Sequence, residues 1–199
     1  MKNWLCALLA LILALCACAL GEDATPGEIP ALGEDEILMH GYISPYAGYY
    51  VGVPSDWALI GAGSTPDNID QAEELIDDSV SALIKGMTAE NDVLFAVSPK
   101  GENLVLSYGA AEGATNEDII RSLDTFKKEL SAKYTGIRFA DDCGGYKLND
   151  ITEILYIGAN YNGHDIRQYY LASGMTMYVF TFTGVSADIA GVVLSTFHL

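Results

Sequence analysis

Basic side chains are scarce in this sequence of 199 residues. It holds 10 Lys and Arg against 27 Asp and Glu, which gives a formal net charge of −17 at pH 7. A surface that binds nucleic acid needs Lys and Arg to neutralise phosphates, and anionic lipid head groups attract the same residues. The composition therefore argues against nucleic acid as a partner and against attachment to a membrane through a basic patch.

Cysteine and histidine are too few and too scattered for the usual disulfide and metal sites. Only one of the four cysteines, Cys143, lies beyond residue 18, which excludes a disulfide framework. The three histidines (His40, His164 and His198) contain no i, i+4 pair and no HExxH motif. We predict no metal, no cofactor and no catalytic residue, and therefore a protein that is not an enzyme.

The only long apolar run lies at the start of the chain. Trp4 to Leu15 is apolar without interruption and follows the positive charge of Lys2. A membrane-spanning helix needs about 20 apolar residues, and a shorter run behind a positive charge is typical of a secretory signal. We predict that residues 1–17 are a signal peptide that directs the chain out of the cytoplasm.

The end of this segment carries a second motif. Leu15-Cys16-Ala17-Cys18 resembles the lipobox of bacterial lipoproteins, with Leu three positions before the modified cysteine and Ala directly before it. The resemblance implies that Cys18 becomes the mature N-terminus and carries a diacylglyceryl thioether with fatty acyl chains such as palmitate. Loss of Lys2 would then take the net charge from −17 to about −18 (−17 − 1).

Two other outcomes are open for the same segment. Ala17-Cys18-Ala19 also fits an A-x-A cleavage site, and cleavage after Ala19 would release a secreted protein without a lipid. Alternatively, the segment stays uncut and acts as the anchor itself. We expect the lipoprotein outcome, which places the protein outside the cytoplasm at a membrane.

The remaining chain divides into a tether and one domain. Residues 18–39 contain two prolines and six acidic residues but no Lys or Arg, which is typical of a solvated, flexible spacer. Residues 40–199 are long enough to bury a hydrophobic core. We therefore predict an acidic tether followed by a single domain.

Within the domain, hydrophobic spacing predicts both strands and helices. Helices are indicated at about residues 65–86, from Thr115 to Tyr134 and from Ser186 to Phe197. Strands are indicated around Tyr49–Pro54 and Trp57–Ala62, in a hairpin at residues 92–108, and in a meander at residues 151–183 with Asn162-Gly163 at one turn. The fold class is α+β, an antiparallel sheet flanked by helices.

This order of elements resembles the PsbP-like fold, an α/β/α sandwich. The resemblance spans about residues 45–199 and is carried by the stretches YVGVPSDW (50–57), YYLASGMTMYVFTFT (169–183) and VVLSTF (192–197). That family includes an extrinsic photosystem II subunit, a Ran-binding transport factor and bacterial lipoproteins without an assigned role. The resemblance implies binding to a partner and supplies no catalytic motif.

Tyrosine is the one residue type in evident excess, with 12 copies. Tyr is a common strand residue, but it also anchors interfaces. We therefore expect Tyr46, Tyr49, Tyr161 and Tyr169 to lie on a surface that binds an envelope protein or a glycan. The alternative is a small-ligand or hydrolytic site in the loops around Asp141–Asn149 and His164.

The first hypothesis for function is a lipid-anchored, extracytoplasmic accessory protein without enzymatic activity. The specific partner, the pathway, the oligomeric state and the membrane face are not encoded in any motif of the sequence.

Overall fold

A computed structural model of the protein describes residues 38–44, 47–61 and 93–199. The strands in these ranges are β1 (Met39–Ile43), β2 (Tyr50–Pro54), β3 (Ala58–Ile60), β4 (Leu94–Val97), β5 (Asn103–Ala110), β6 (Arg138–Phe139), β7 (Gly144–Lys147), β8 (Glu153–Tyr161), β9 (His164–Ser173) and β10 (Thr176–Thr183). The helices are α1 (Asn116–Arg121), α2 (Leu123–Lys133) and α3 (Ala187–Ser195). The predicted signal peptide and the predicted helix at 65–86 lie outside these ranges, as does the predicted tether up to residue 37.

The strands form one large antiparallel sheet and one small one. The order in the large sheet is β3-β4-β5-β10-β9-β8-β6, and β7 also pairs with β8. The small sheet consists of β1 and β2. Helices pack on both sides of the large sheet, which confirms the predicted α+β class.

Strand β10 lies in the middle of the large sheet, between β5 and β9. Its sequence alternates between two apolar sets, and both are buried. Tyr178, Phe180 and Phe182 pack with α3 and β2, so we call their side of the sheet the α3 face. Met177 and Val179 pack with α1 and α2 on the opposite side, which we call the α2 face. The strand is thus central and covered on both sides, as the apolar residues on both of its faces indicate.

The turn between β8 and β9 also agrees with the sequence. Asn162 and Gly163 both have positive φ angles, 52° and 90°. A type I′ turn requires positive φ at both central residues, and Asn-Gly meets this requirement at little steric cost. The turn fixes the register of the β8–β9 hairpin, in which Tyr156 lies opposite Tyr169.

The second predicted helix begins as expected but is interrupted. Thr115 and Asp118 form a capping box in which each side chain accepts the backbone N–H of the other residue. The helix then breaks at Ser122, whose hydroxyl donates to the carbonyl of Asp118 at 2.8 Å. Such a local side-chain bond competes with the regular helical pattern. One predicted helix is therefore two, α1 and α2.

The last helix ends two residues earlier than the sequence suggests. Ser186 caps α3 by accepting the N–H of Ile189, as predicted. After Ser195 the chain turns toward β2, where the Thr196 hydroxyl accepts the N–H of Gly52 at 2.7 Å. His198 then forms an antiparallel bridge with Tyr50. The end of the chain thus completes the outer side of β2 instead of extending the helix.

Strand β1 was not predicted from the sequence. It begins at Met39, so it straddles the predicted boundary between tether and domain, and it pairs with β2 along its whole length. The inward side chains of β2, Val51 and Val53, are buried beneath α3 and the α3 face. The small sheet therefore forms part of the main hydrophobic core.

His40 of β1 makes the stability of the domain depend on pH. Its Nε2 atom is buried and has no hydrogen-bond partner among the residues that the structure describes. Burial lowers the pKa of His40 below its ordinary value of 6.5, and the nearby Asp56 carboxylate offsets part of this effect. The unfolded chain then binds a proton at His40 more readily than the folded chain. His40 therefore does not reduce the free energy of unfolding above pH 6.5, and it reduces this free energy as the pH falls further.

We therefore expect His40→Gln to reduce the loss of unfolding free energy between pH 7 and pH 5. Urea unfolding of both chains at several pH values measures this difference, and the wild-type chain controls for titration of the many carboxylates. Parallel pH profiles for the two chains would contradict the role of His40.

Candidate functional site

One part of the α3 face combines aromatic rings with charged side chains. Tyr156 of β8 lies opposite Tyr169 of β9. Tyr146 of β7 lies opposite Ile154 of β8, on the same side of the sheet as Tyr156. Arg167 lies two residues before Tyr169 and therefore points to the same side, opposite Gly158. We call the surface formed by Tyr146, Tyr156, Arg167 and Tyr169 the tyrosine–arginine face.

The three rings of the tyrosine–arginine face pack directly against one another. The ring centroids of Tyr146 and Tyr169 are 5.0 Å apart, and those of Tyr156 and Tyr169 are 5.1 Å apart. Tyr169 also meets the core residue Phe182 edge to face at 5.9 Å. Tyr169 is buried, whereas Tyr146 and Tyr156 are half-buried and therefore keep part of their surface exposed to solvent.

Gly158 sets the position of the Tyr156 ring. A Cβ atom at Gly158 would overlap the Tyr156 hydroxyl and would lie 3.0 Å from the Cβ of Ala140. The ring of Tyr156 therefore lies along β8, over the space that a larger residue at 158 would fill. Its hydroxyl is thereby brought toward Arg167, the residue opposite Gly158.

The polar groups of this face form no hydrogen bonds or ion pairs with the described part of the chain. Within that part, the hydroxyls of Tyr146, Tyr156 and Tyr169 make no hydrogen bond, and the Arg167 guanidinium makes neither a hydrogen bond nor an ion pair. Burial raises the pKa of Tyr156, Asp142 raises it further, and Arg167 opposes them. Burial also raises the pKa of Tyr169. The phenols of Tyr156 and Tyr169 are therefore neutral donors at physiological pH.

A hydrogen-bonded chain borders the face. The Nη2 atom of Arg138 donates to Oδ1 of Asn160 at 3.3 Å, and Nδ2 of Asn160 donates to Oδ1 of Asp165 at 2.9 Å. Aromatic rings, phenol hydroxyls and charges of both signs thus lie side by side. Such a surface suits a ligand that offers hydrogen-bonding groups together with apolar patches.

The described members of the predicted tyrosine surface, Tyr49, Tyr161 and Tyr169, do not lie together on one surface. Tyr49 is completely buried and Tyr169 is 3% exposed, so we correct their assignment: both are core residues, and Tyr169 serves the tyrosine–arginine face as its floor. Tyr161 lies on the α2 face, where its ring packs against Tyr134 at 5.4 Å. Tyr46 and the predicted lipidation site Cys18 lie outside the described residues.

The alternative site around Asp141–Asn149 and His164 is not assembled either. His164 pairs with Tyr161 at one end of β8, whereas Gly144–Lys147 pairs with the segment from Tyr156 back to Glu153. At about 3.3 Å per residue, these positions are roughly 17 to 26 Å apart along β8. Gly144–Lys147 and His164 therefore do not share one site, and we correct this part of the prediction.

In the loop that follows β7, the side-chain oxygen of Asn149 forms hydrogen bonds with the backbone of the same loop. Oδ1 of Asn149 accepts the N–H groups of Ile151 and Thr152 at 3.0 and 2.8 Å, so this oxygen stabilises its own loop. In residues 38–44, 47–61 and 93–199 no group of three or more His, Cys, Asp or Glu is arranged to hold a metal ion.

Sequence reasoning missed Tyr146 and Arg167. Tyr146 lies in β7, a strand within a segment that was predicted to be a loop. Arg167 carried a signal that could have been used, because the chain has only three arginines (Arg121, Arg138 and Arg167) and two of them lie at this face.

The similarity of this chain to proteins of known structure is a similarity of fold. No protein-family model and no curated protein matches the chain. The chain is similar to the solution structure of cyanobacterial PsbP (CyanoP) from Synechocystis sp. PCC 6803, with 12% identity and a TM-score of 0.47 over 90% of this chain and 99% of that one.

A crystal structure from Bacteroides thetaiotaomicron VPI-5482 is also similar, with 18% identity and a TM-score of 0.45 over 79% of this chain. This chain spans about half, 47%, of that protein. Among the described residues, no helix is long and apolar enough to cross a membrane.

Proposed function

We propose that the protein is a lipid-anchored, extracytoplasmic accessory protein that binds a partner through the tyrosine–arginine face and catalyses no reaction. The observation that carries this proposal is the state of Arg167. Arg167 is a half-buried residue whose guanidinium makes no hydrogen bond or ion pair in the described part of the chain. It lies near Tyr156 and Tyr169, whose hydroxyls likewise make no hydrogen bond there.

The composition of the face supports binding. Tyr and Arg are enriched among the residues that contribute most to protein interfaces, because they combine a large contact area with directional hydrogen bonds. The rings are already packed against one another, so binding costs little conformational entropy to order them. An envelope protein or a glycan offers both the polar groups and the apolar patches that this face can contact.

The evidence for a lipid anchor comes from the sequence. Leu15-Cys16-Ala17-Cys18 resembles a lipobox, and the acidic chain would be repelled by anionic lipid head groups. Attachment to a membrane therefore needs the acyl chains at Cys18. A solvated tether would allow the domain to reach a partner away from the bilayer.

We expect Arg167→Ala to reduce capture of the partner about tenfold or more, since a residue that contributes at least about 1.4 kcal/mol changes affinity by that factor. The assay uses the membrane-derived full chain as bait with envelope fractions, and quantitative mass spectrometry as readout. Treating the fractions with a glycan hydrolase distinguishes a glycan partner from a protein partner.

Arg121→Ala is the matched control. It removes the same charge from an exposed position in α1, where Arg121 pairs with Glu117 on the other side of the sheet. This variant should capture as much partner as the wild type. Equal capture by the Arg167→Ala chain, with its unfolding midpoint unchanged, would refute the proposed binding face.

A further inference from the structure

The outer edge of β1 is an open strand edge in the described part of the chain. The N–H of Ser44 donates to the carbonyl of Tyr49 at 2.9 Å, and the N–H of Ser55 donates to the carbonyl of Leu38 at 2.8 Å. These bonds fix the alternation of an antiparallel pair, so the backbone groups of His40 and Tyr42 face β2. The N–H and C=O groups of Met39, Gly41 and Ile43 therefore point away from β2.

The opposite edge of the small sheet, formed by β2, has hydrogen-bond partners. Tyr50 exchanges two backbone hydrogen bonds with His198, at 2.8 and 3.0 Å. The N–H of Gly52 donates to the Thr196 hydroxyl. The small sheet thus has one satisfied edge and, among the described residues, one edge whose outward groups have no partner.

Strand β1 lacks the features that usually protect an edge. Proteins commonly block such edges with charged residues, proline or a bulge. The strand reads MHGYI, with no Lys, Arg, Asp, Glu or Pro, and Ile43 is 69% exposed. By contrast, β6 carries Arg138 and β7 carries Lys147 at the far side of the large sheet.

The open edge is complementary to itself. In an antiparallel pair centred on Gly41, Met39 of one chain lies opposite Ile43 of the other, so the outward donors and acceptors of both chains meet. The apolar Met39 and Ile43 side chains then become neighbours. No acidic residue of this strongly negative chain is brought opposite another within the strand.

We infer that β1 pairs with β1 of a second copy of this chain, around a twofold axis at Gly41, and extends the small sheet across the dimer. Within one chain, Gly41 makes room for the ring of Tyr50, which a Cβ atom at this position would overlap. A five-residue strand gives a contact well below the roughly 800 Å² per partner of a standard interface. Pairing is therefore weak in dilute solution and is favoured where copies are concentrated.

Disulfide trapping tests the register. Two full-length chains, Met39→Cys and Ile43→Cys, both with Cys143→Ser and each with a different tag after Leu199, are coexpressed and treated with a mild oxidant in whole cells. Directly opposed residues have Cα atoms about 5.5 Å apart, which fits a disulfide. Identical positions in the two chains would be roughly 13 Å apart, too far to bridge.

A disulfide-linked heterodimer should form when the two chains are coexpressed and should be absent from either chain alone. The Cys143→Ser chain without a new cysteine controls for cross-links through Cys6, Cys16 or Cys18. No heterodimer, equal cross-linking in each chain alone, or cross-linking only to another protein would overturn the inference. A positive result would stand whether or not the tyrosine–arginine face binds a partner.

Discussion

Replacing Phe180 with alanine should lower the free energy of unfolding by about 3 to 5 kcal/mol. Phe180 lies in the central strand β10, is 1% exposed, and meets Phe197 edge to face with centroids 5.0 Å apart. Truncation leaves a cavity between the sheet and the end of α3, which the surrounding strands cannot fill. Urea unfolding followed by the fluorescence of the buried Trp57 measures the effect.

Ile151→Ala provides the control, because Ile151 is 94% exposed and lies outside any strand. Its effect should stay within about 0.5 kcal/mol. A loss below about 1 kcal/mol for Phe180→Ala would mean that this side chain is not part of a closely packed core.

Replacing Cys18 with serine should move the protein from the membrane fraction to the soluble fraction, lowering the bound share roughly tenfold or more. Serine cannot form the thioether that carries the acyl chains. The negative charge of the chain offers no substitute attachment to anionic lipid. Quantitative immunoblotting of fractionated cells that produce the two chains measures the change.

Cys16→Ser separates lipidation from general damage to the signal, because Cys16 would leave with the signal peptide. This variant should stay in the membrane fraction. The intact mass of the membrane-bound protein gives an independent check. An unmodified N-terminus at Leu20, or a cytosolic chain that retains residues 1–17, would contradict the lipoprotein assignment.

The features that the sequence predicts well depend on neighbouring residues. The apolar alternation in β10, the Asn162-Gly163 turn and the Ser186 cap each arise from residues a few positions apart. Periodicity and backbone preference determine such features before the chain folds. For this reason, the meander and the closing helix could be predicted without a structure.

Other features depend on residues that are distant in sequence or on a single side chain. Strand β1 is short and gains its place through β2, which in turn meets the end of the chain. The break at Ser122 comes from one side-chain hydrogen bond that competes with the helix. Neither event changes the hydrophobic period, so sequence patterns did not predict it.

The candidate site could be predicted only in part, because it too depends on residues that are distant in sequence. Composition singled out tyrosine, but it could not separate Tyr49, which faces the core, from its exposed neighbour Tyr50. The proximity of Arg167 to Tyr156 follows from the register of the β8–β9 hairpin. Sequence can therefore nominate residue types for this site, whereas strand pairing decides which of them meet.

The bond between Gly52 and Thr196 joins residues 144 positions apart. The outer edge of the early strand β2 is consequently occupied only after Thr196 has been synthesised. Contacts over such long separations form slowly, because the intervening chain must first be ordered. A nascent chain that stops before Thr196 would expose β2 to aggregation and proteolysis, which would favour removal of incomplete molecules.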